Sequence, residues 1–187
     1  RVLGALRMFC SARFLTVGPG LKSGIRLRLD NPAQLGAELL CGAVAALEEG
    51  PGPLAVISAD TAISIMAVNG KQELVGGVIL PGPQLSLSAL VQKTAQLPQI
   101  DLSAPASSSI LGKNTSACLQ NGFVLGTAGL LDGLAERFQA ELGPDIRFYA
   151  TGNLPRTIRE ACRTPIEYRE YLITDGLYRI WQKNRKG

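Results

Sequence analysis

Between Leu54 and Leu80 the chain carries three apolar, strand-type runs separated by short turns, and this meander narrows the fold more than any other feature. Leu54-Ala55-Val56-Ile57 reads as a buried strand, Ile63 to Val68 as a second and Glu73 to Leu80 as a third. Asn69-Gly70, between the last two, is the favoured dipeptide of a two-residue hairpin. Beyond the meander the period alternates. A helix is expected over Ser86 to Ala95, then a loop rich in Pro and Ser from Leu97 to Leu111. A long helix from about Ser116 to Leu142 ends at Gly143-Pro144. Ile146 to Ala150 reads as a strand, Thr151-Gly152-Asn153 as a turn and Leu154 to Cys162 as a helix. Ile166 to Arg169 is a short strand, and Asp175 to Lys183 is the last helix.

Upstream, Asp30-Asn31-Pro32-Ala33-Gln34 carries a helix-start signal: Asn31 to cap, Pro32 for the first helical position and Gln34 at capping-box spacing. The helix is expected to run through Leu35, Leu39, Val44 and Leu47 to a stop at Gly50. Three strands in a meander followed by alternating helices and strands give an α/β fold. The layout is ribonuclease-H-like, as in actin-like ATPases: a mixed sheet flanked by helices. Residues 34–187 would form this lobe, with residues 1–33 as a helix and linker from a first lobe. The chain does not open with Met but with Arg1, inside an amphipathic run, and reads as a fragment. Arg7 and Arg13 interrupt that run and make it a poor secretory signal.

Composition removes several kinds of chemistry. The 187 residues contain no His, which excludes Ser-His-Asp and Cys-His catalysis and histidine-ligated metals. Hydrophobic residues at 46% supply a core, yet no uninterrupted apolar stretch is long enough for a membrane span. Lys and Arg number 19 against 15 Asp and Glu, but the basic residues are scattered except for Lys183, Arg185 and Lys186. That tail reads as a solvated helix end, and no stacking aromatics accompany it, so neither nucleic acid nor membrane is an expected partner. Cys10, Cys41, Cys118 and Cys162 lack C-x-x-C spacing and read as buried free thiols of a reducing cytosol.

Several polar and Gly-rich segments follow one another in a distinctive order. They are Thr16-Val17-Gly18-Pro19-Gly20-Leu21-Lys22-Ser23-Gly24, Asp30-Asn31-Pro32-Ala33-Gln34-Leu35-Gly36-Ala37-Glu38 and Gly76-Gly77-Val78-Ile79-Leu80-Pro81-Gly82. Thr94-Ala95-Gln96-Leu97-Pro98, Gly112-Lys113-Asn114-Thr115 and Ala150-Thr151-Gly152 follow. Together they resemble the type III pantothenate kinases of the actin-like sugar-kinase superfamily, with D-N-P-x-x-x-G-A-D, G-G-x-I-x-P-G, G-K-N-T and A-T-G-G as the counterparts. The likeness runs from about Phe14 to Lys183. The family's D-x-G-N-T phosphate loop is not within these 187 residues.

The resemblance implies transfer of the ATP γ-phosphate to the primary hydroxyl of pantothenate, the first step towards coenzyme A. It also implies Mg²⁺, a monovalent cation (K⁺ or NH₄⁺), a cytoplasmic location and a homodimer. Glu38 takes the position of the family's proton-accepting Asp, one methylene longer. Gly36, Ala37 and Leu39 complete the substrate segment, with Leu39 where many members carry Arg, and Thr115 is the matching pantothenate contact. The family's D-x-G-T-A-T-T strand here reads Ser58-Ala59-Asp60-Thr61-Ala62-Ile63-Ser64. Thr61 keeps the ATP-contacting position, whereas Ser58 replaces the cation-binding Asp and Asp60 replaces a Gly. Asn153 stands where the family has a second Gly. Each residue also has a plainer role: Glu38 as a first-turn acid, Asp60-Thr61 as a polar turn, Thr115 as a helix N-cap. In the plain case the chain is a non-catalytic ligand-binding or protein-interaction module. If the site is inherited, Glu38 and Thr61 share a cleft with Gly76-Gly77 nearby and Thr115 reaching in from the same or a neighbouring subunit.

Overall fold

The computed structural model describes residues 2–12, 14–18, 20–106 and 109–185. Arg1, Arg13, Pro19 and Lys186 therefore lie outside the described residues. In chain order the elements begin with α1 (Val2–Phe9), β1 (Arg26–Leu27), a 3-10 turn (Pro32–Gln34) and α2 (Ala37–Glu48). The meander follows as β2 (Leu54–Ala59), β3 (Ala62–Val68) and β4 (Glu73–Pro81). Then come α3 (Pro83–Gln92), α4 (Thr115–Leu142), β5 (Arg147–Gly152), α5 (Arg156–Ala161), β6 (Ile166–Tyr168) and α6 (Leu172–Asn184).

The six strands make one sheet in the order β1-β4-β3-β2-β5-β6. β2, β3 and β4 pair antiparallel, while β5 runs parallel to β2 and β6 parallel to β5. This is the mixed sheet that the element order implies. Leu54 and Val56 face α2 and α6 together with Met66, Val68, Leu74 and Tyr149. Ala55, Ile57 and Ala59 face α4 and α5 together with Ile65, Val124, Leu131 and Ile158. Helices cover both faces, so β2 reads as an unbroken apolar run rather than an alternating one. At the sheet edge β1, which the sequence pattern does not reveal, is pinned to β4 by Glu73, whose Oε1 lies 3.1 Å from both Arg26 Nη1 and Arg28 Nε.

Four local expectations are corrected. The helix expected from Pro32 is broken: Asn31 caps only the 3-10 turn, its Oδ1 accepting from Ala33 N at 3.2 Å. Leu35 is then extended and packs onto the core, and Gly36 restarts the helix by accepting Leu39 N at 3.1 Å and Leu40 N at 3.2 Å. The hairpin between β3 and β4 is a three-residue loop, Gly70 to Gln72, with Gln72 at φ 58°. Asn69 selects it, because its Oδ1 accepts from Lys71 N at 2.9 Å and Glu73 N at 3.0 Å, an Asx-type closure. The cap of α4 is Asn114, which accepts from Ala117 N at 2.8 Å, and Thr115 is the first helical residue. Thr151 and Gly152 end β5 instead of forming a turn.

Two buried contacts orient the helical layers. Gly176 of α6 lies so close to α2 that a Cβ there would overlap the Cys41 carbonyl oxygen. On the other face the buried carboxylate of Asp132 accepts Arg163 N at 3.0 Å and Thr164 N at 2.9 Å, tying α4 to the loop before β6. Desolvation pushes the Asp132 pKa up, but the backbone hydrogen bonds from Thr164 and Arg163 outweigh it and leave the net shift downward.

All four thiols are free, but only Cys41 is buried and Cys162 half-buried; Cys10 and Cys118 are exposed. The expectation of uniformly buried thiols is corrected accordingly, since α1 buries none of its residues and Cys118 sits on an open face of α4. Desolvation, with a smaller contribution from Asp132, pushes Cys162 up to about 11. Two thiols are therefore expected to react promptly with a disulfide reagent at neutral pH and two only on unfolding, as a timed thiol titration would read. Gly176→Ala is expected to destabilise the fold by about 3 kcal/mol through overpacking, measured as a lower urea midpoint with an unchanged slope.

Candidate active-site groove

β2 and β5 run parallel and end side by side, at Ala59 and Gly152. In open α/β sheets the carboxyl ends of such strands are where ligands bind. After β2 the chain turns through Asp60 and Thr61 and returns as β3, with Asp60 N donating to Ala62 O at 2.9 Å. Above these ends stand the first turn of α2, carrying Glu38, and the first turn of α6, carrying Ile173. Together they enclose a cleft of about 410 Å³ lined by Glu38, Ser58, Asp60, Thr61, Ser64 and Asn153 among others. A second hollow of about 420 Å³ shares Asp60, Thr61 and Asn153 and extends over the start of α3 at Gln84 and Leu85. The two form one groove with a divide at the shared residues.

The floor of the first cleft is set by strand register. Ser58 pairs with Ser64 on one side and Thr151 on the other, so three hydroxyls lie in a row across β3, β2 and β5. Thr151 is buried, its Oγ1 donating to Glu170 O at 3.5 Å. Ser64 and Thr151 lie within matched segments but are given no role there; of the two only Ser64 lines the cleft, and Thr151 packs beneath it. The divide is held by close backbone contacts. Gly152 has φ 81° and no room for a Cβ beside the Ala59 carbonyl, and Asn153 N donates to Ala59 O at 2.5 Å. Asn153 Nδ2 donates to Asp60 Oδ1 at 3.0 Å, and Gly82 N donates to Thr61 O at 2.9 Å.

The structure thus brings Glu38, Ser58 and Thr61 into one cleft. Glu38 is exposed and is the second residue of α2, not two turns into a helix as the Asn31 start implied. Gly36 and Ala37 are exposed beside it, Gly36 as the N-cap. Leu39 turns inward and packs in the core between α2 and the sheet, outside the cleft lining. Thr115 lines a separate apolar hollow of about 320 Å³ with Leu90, Leu97, Cys118, Leu119 and Phe123. Gly76 and Gly77 stand opposite Ala67 and Met66 at a bulge of β4, away from the cleft, contrary to the expectation that they lie nearby.

The groove contains the carboxylates of Glu38 and Asp60, and among the described residues no Lys or Arg lines either half. Among the described residues no three His, Cys, Asp or Glu side chains cluster as a metal site. Where the resemblance implies a cation-binding carboxylate, the neutral Ser58 hydroxyl stands and brings no countercharge to a monovalent cation. The oxygens of Glu38 and Asp60, which line the same cleft, are hard donors of the kind a divalent cation carried in by phosphates takes.

Comparison with known proteins agrees with this architecture. The family model for type III pantothenate kinase matches residues 2–137. A type III pantothenate kinase of Koribacter versatilis (strain Ellin345) is 38% identical over 184 residues, covering 96% of this chain and 66% of that protein. One from Exiguobacterium sp. (strain ATCC BAA-1283 / AT1b) is 34% identical, covering 95% and 69%. One from Solibacter usitatus (strain Ellin6076) is 37% identical, covering 90% and 64%. The chain spans about two thirds of the length of these curated relatives.

Proposed function

This chain belongs to the type III pantothenate kinase family, and from that premise we propose that its groove is a pantothenate phosphorylation site. The observation that carries the reading is the shared cleft of Glu38 and Thr61 at the ends of β2 and β5. In the proposed reaction the primary hydroxyl of pantothenate attacks the γ-phosphorus of ATP. The bond to the β-phosphate oxygen breaks, and ADP and 4'-phosphopantothenate leave. Glu38 accepts the hydroxyl proton as the new P–O bond forms. Thr61 orients the nucleotide by its hydroxyl, and Gly36 and Ala37 keep the rim beside Glu38 low enough for the acceptor. Mg²⁺ accompanying ATP supplies charge neutralisation at the phosphates, with Glu38 and Asp60 as the carboxylates that would meet it.

In this reading residues 34–187 act as the ribonuclease-H-like lobe, to whose sheet β1 of the preceding segment adds an edge strand, and residues 1–33 lead into it from a first lobe that bears the phosphate loop. The protein works in the cytoplasm. A second reading, a ligand-binding or partner-binding module without turnover, is favoured by Ser58 and Asp60, which remove one carboxylate and add another in the groove. A homodimer completes the proposal. Leu90 of α3 and Leu130 of α4 are exposed, and at Gly122, Gly126 and Gly129 a Cβ would meet nothing, so α4 presents an open face beside Thr115. A second copy seated there brings Thr115 to the subunit boundary.

Titration calorimetry with pantothenate tests the assignment. The 187-residue chain is expected to bind it, and Glu38→Ala to weaken binding by about tenfold, the value of one hydrogen bond to a charged group. Pantothenate-dependent ADP release by this chain is expected at the no-enzyme background, with or without K⁺ or NH₄⁺. Equal affinity in Glu38→Ala overturns the role of Glu38. No binding at all leaves the partner-binding module, and release at the rate of a working kinase shows that Ser58 and Asp60 are tolerated. Light scattering is expected to give the mass of a dimer at tens of micromolar; a clean monomer mass overturns the dimer.

A further inference from the structure

The divide in the groove has a property that the kinase reading alone does not supply. Asp60, Thr61 and Asn153 line both halves, so the hydrogen bond from Asn153 Nδ2 to Asp60 Oδ1 at 3.0 Å lies on the boundary between them. Both partners stand on anchored backbone. Asn153 follows Gly152, which is pressed on the Ala59 carbonyl, and Asp60 sits in a turn closed by its own N–H to Ala62 O and covered by Gly82 N on Thr61 O. The carboxylate is therefore held at the boundary by a donor from the opposite wall.

Its electrostatic surroundings are one-sided. Glu38 adds a second negative charge to the first half, and among the described residues no Lys or Arg lines either half. The starts of α2 and α3 supply roughly half a positive charge each, less than the full charge of the carboxylate each faces. A phosphate entering beside Asp60 thus meets net repulsion. At contact distance in a water-like dielectric one such charge pair is worth about fivefold in affinity, and more where solvent is excluded. Asp60 and Asn153 also stand at the two positions where the related motifs carry Gly, so the two departures touch each other.

We infer that Asp60 and Asn153 form a selectivity clasp: the pair divides the groove and fixes a carboxylate at the divide, so that free polyphosphates are rejected while uncharged or cation-neutralised ligands are admitted. For nucleotides the inference rests on the groove being the ATP site proposed above. A neutral and an anionic probe of otherwise equal shape separate charge from fit. Asp60→Asn removes the charge and keeps the acceptor for Asn153, whereas Asn153→Ala keeps the charge and frees it.

The test is calorimetric titration of the full chain with adenosine, with metal-free ADP and with inorganic tripolyphosphate, folding being checked by thermal melting. Asp60→Gly stands in should Asp60→Asn fail to fold. ADP is expected to bind at least fivefold more tightly to Asp60→Asn, and by a smaller factor to Asn153→Ala, with adenosine unchanged in both. Equal ADP affinity in wild type and Asp60→Asn overturns the clasp and leaves the nucleotide site standing. A gain in Asp60→Asn with none in Asn153→Ala also overturns it, because the charge then acts without its partner. If adenosine and ADP bind no form while tripolyphosphate binds Asp60→Asn and not wild type, the clasp stands and the nucleotide reading fails. Binding of no probe to any form overturns both.

Discussion

The contact between Gly176 and the backbone of Cys41 decides where everything above the sheet can sit. A helix carrying side chains at every crossing position stands some 8–10 Å from its neighbour. At Gly176 α6 instead touches the backbone of α2, and the two cover one face of the sheet together. α2 is then clamped between α6 and Val56, whose Cγ1 would lie 3.1 Å from a Cβ at Gly42. With the helix body fixed on two sides, its first turn has a single place to go, over the carboxyl ends of β2 and β5. The cleft follows from that placement.

The charge pattern of the groove follows from a different rule. Parallel strands ending together leave backbone groups and short polar side chains at their ends, which suits phosphate chemistry when glycines keep the approach open. Here the turn after β2 carries Asp60 and the loop after β5 carries Asn153, and the two satisfy each other. A hydrogen bond between exposed partners contributes little to stability, on the order of 1 kcal/mol or less. Its weight lies in orientation, since it selects one direction for a full charge in a groove that no Lys or Arg among the described residues lines.

The element order was legible because each segment states its own period. The buried run of β2, the Asn69 turn, the long helix after Asn114 and the alternation from Ile146 onward all depend on residues close in sequence. What escaped depended on distant partners. Leu35 is extended because the core between α2 and the sheet takes its side chain, and the helix then restarts from Gly36. β1 is two residues held by Glu73, too short to leave a pattern. At the site, motif order led to Glu38, Ser58 and Thr61, which do share a cleft, and also to Leu39 and Thr115, which lie elsewhere. Ser64 and Thr151 stand inside matched segments, but their alignment with Ser58 was not legible, because the hydroxyl row exists only through register across three strands.

The direction of Glu38 joins these threads. Successive residues of a helix diverge by about 100°, so burying one fixes the next. Leu39 and Leu40 are both driven into the core beneath α2, and Cys41 follows under α6. Glu38, just before that buried arc in the first turn, is left facing outward along the rim where Ser58 and Thr61 open. Had the helix continued unbroken from Pro32, the same carboxylate would follow two more turns whose path the extended Leu35 does not allow. Apolar burial at Leu35 and Leu39 therefore aims the charge. The longer reach of Glu over Asp acts from a backbone position that the core, rather than the groove, has chosen.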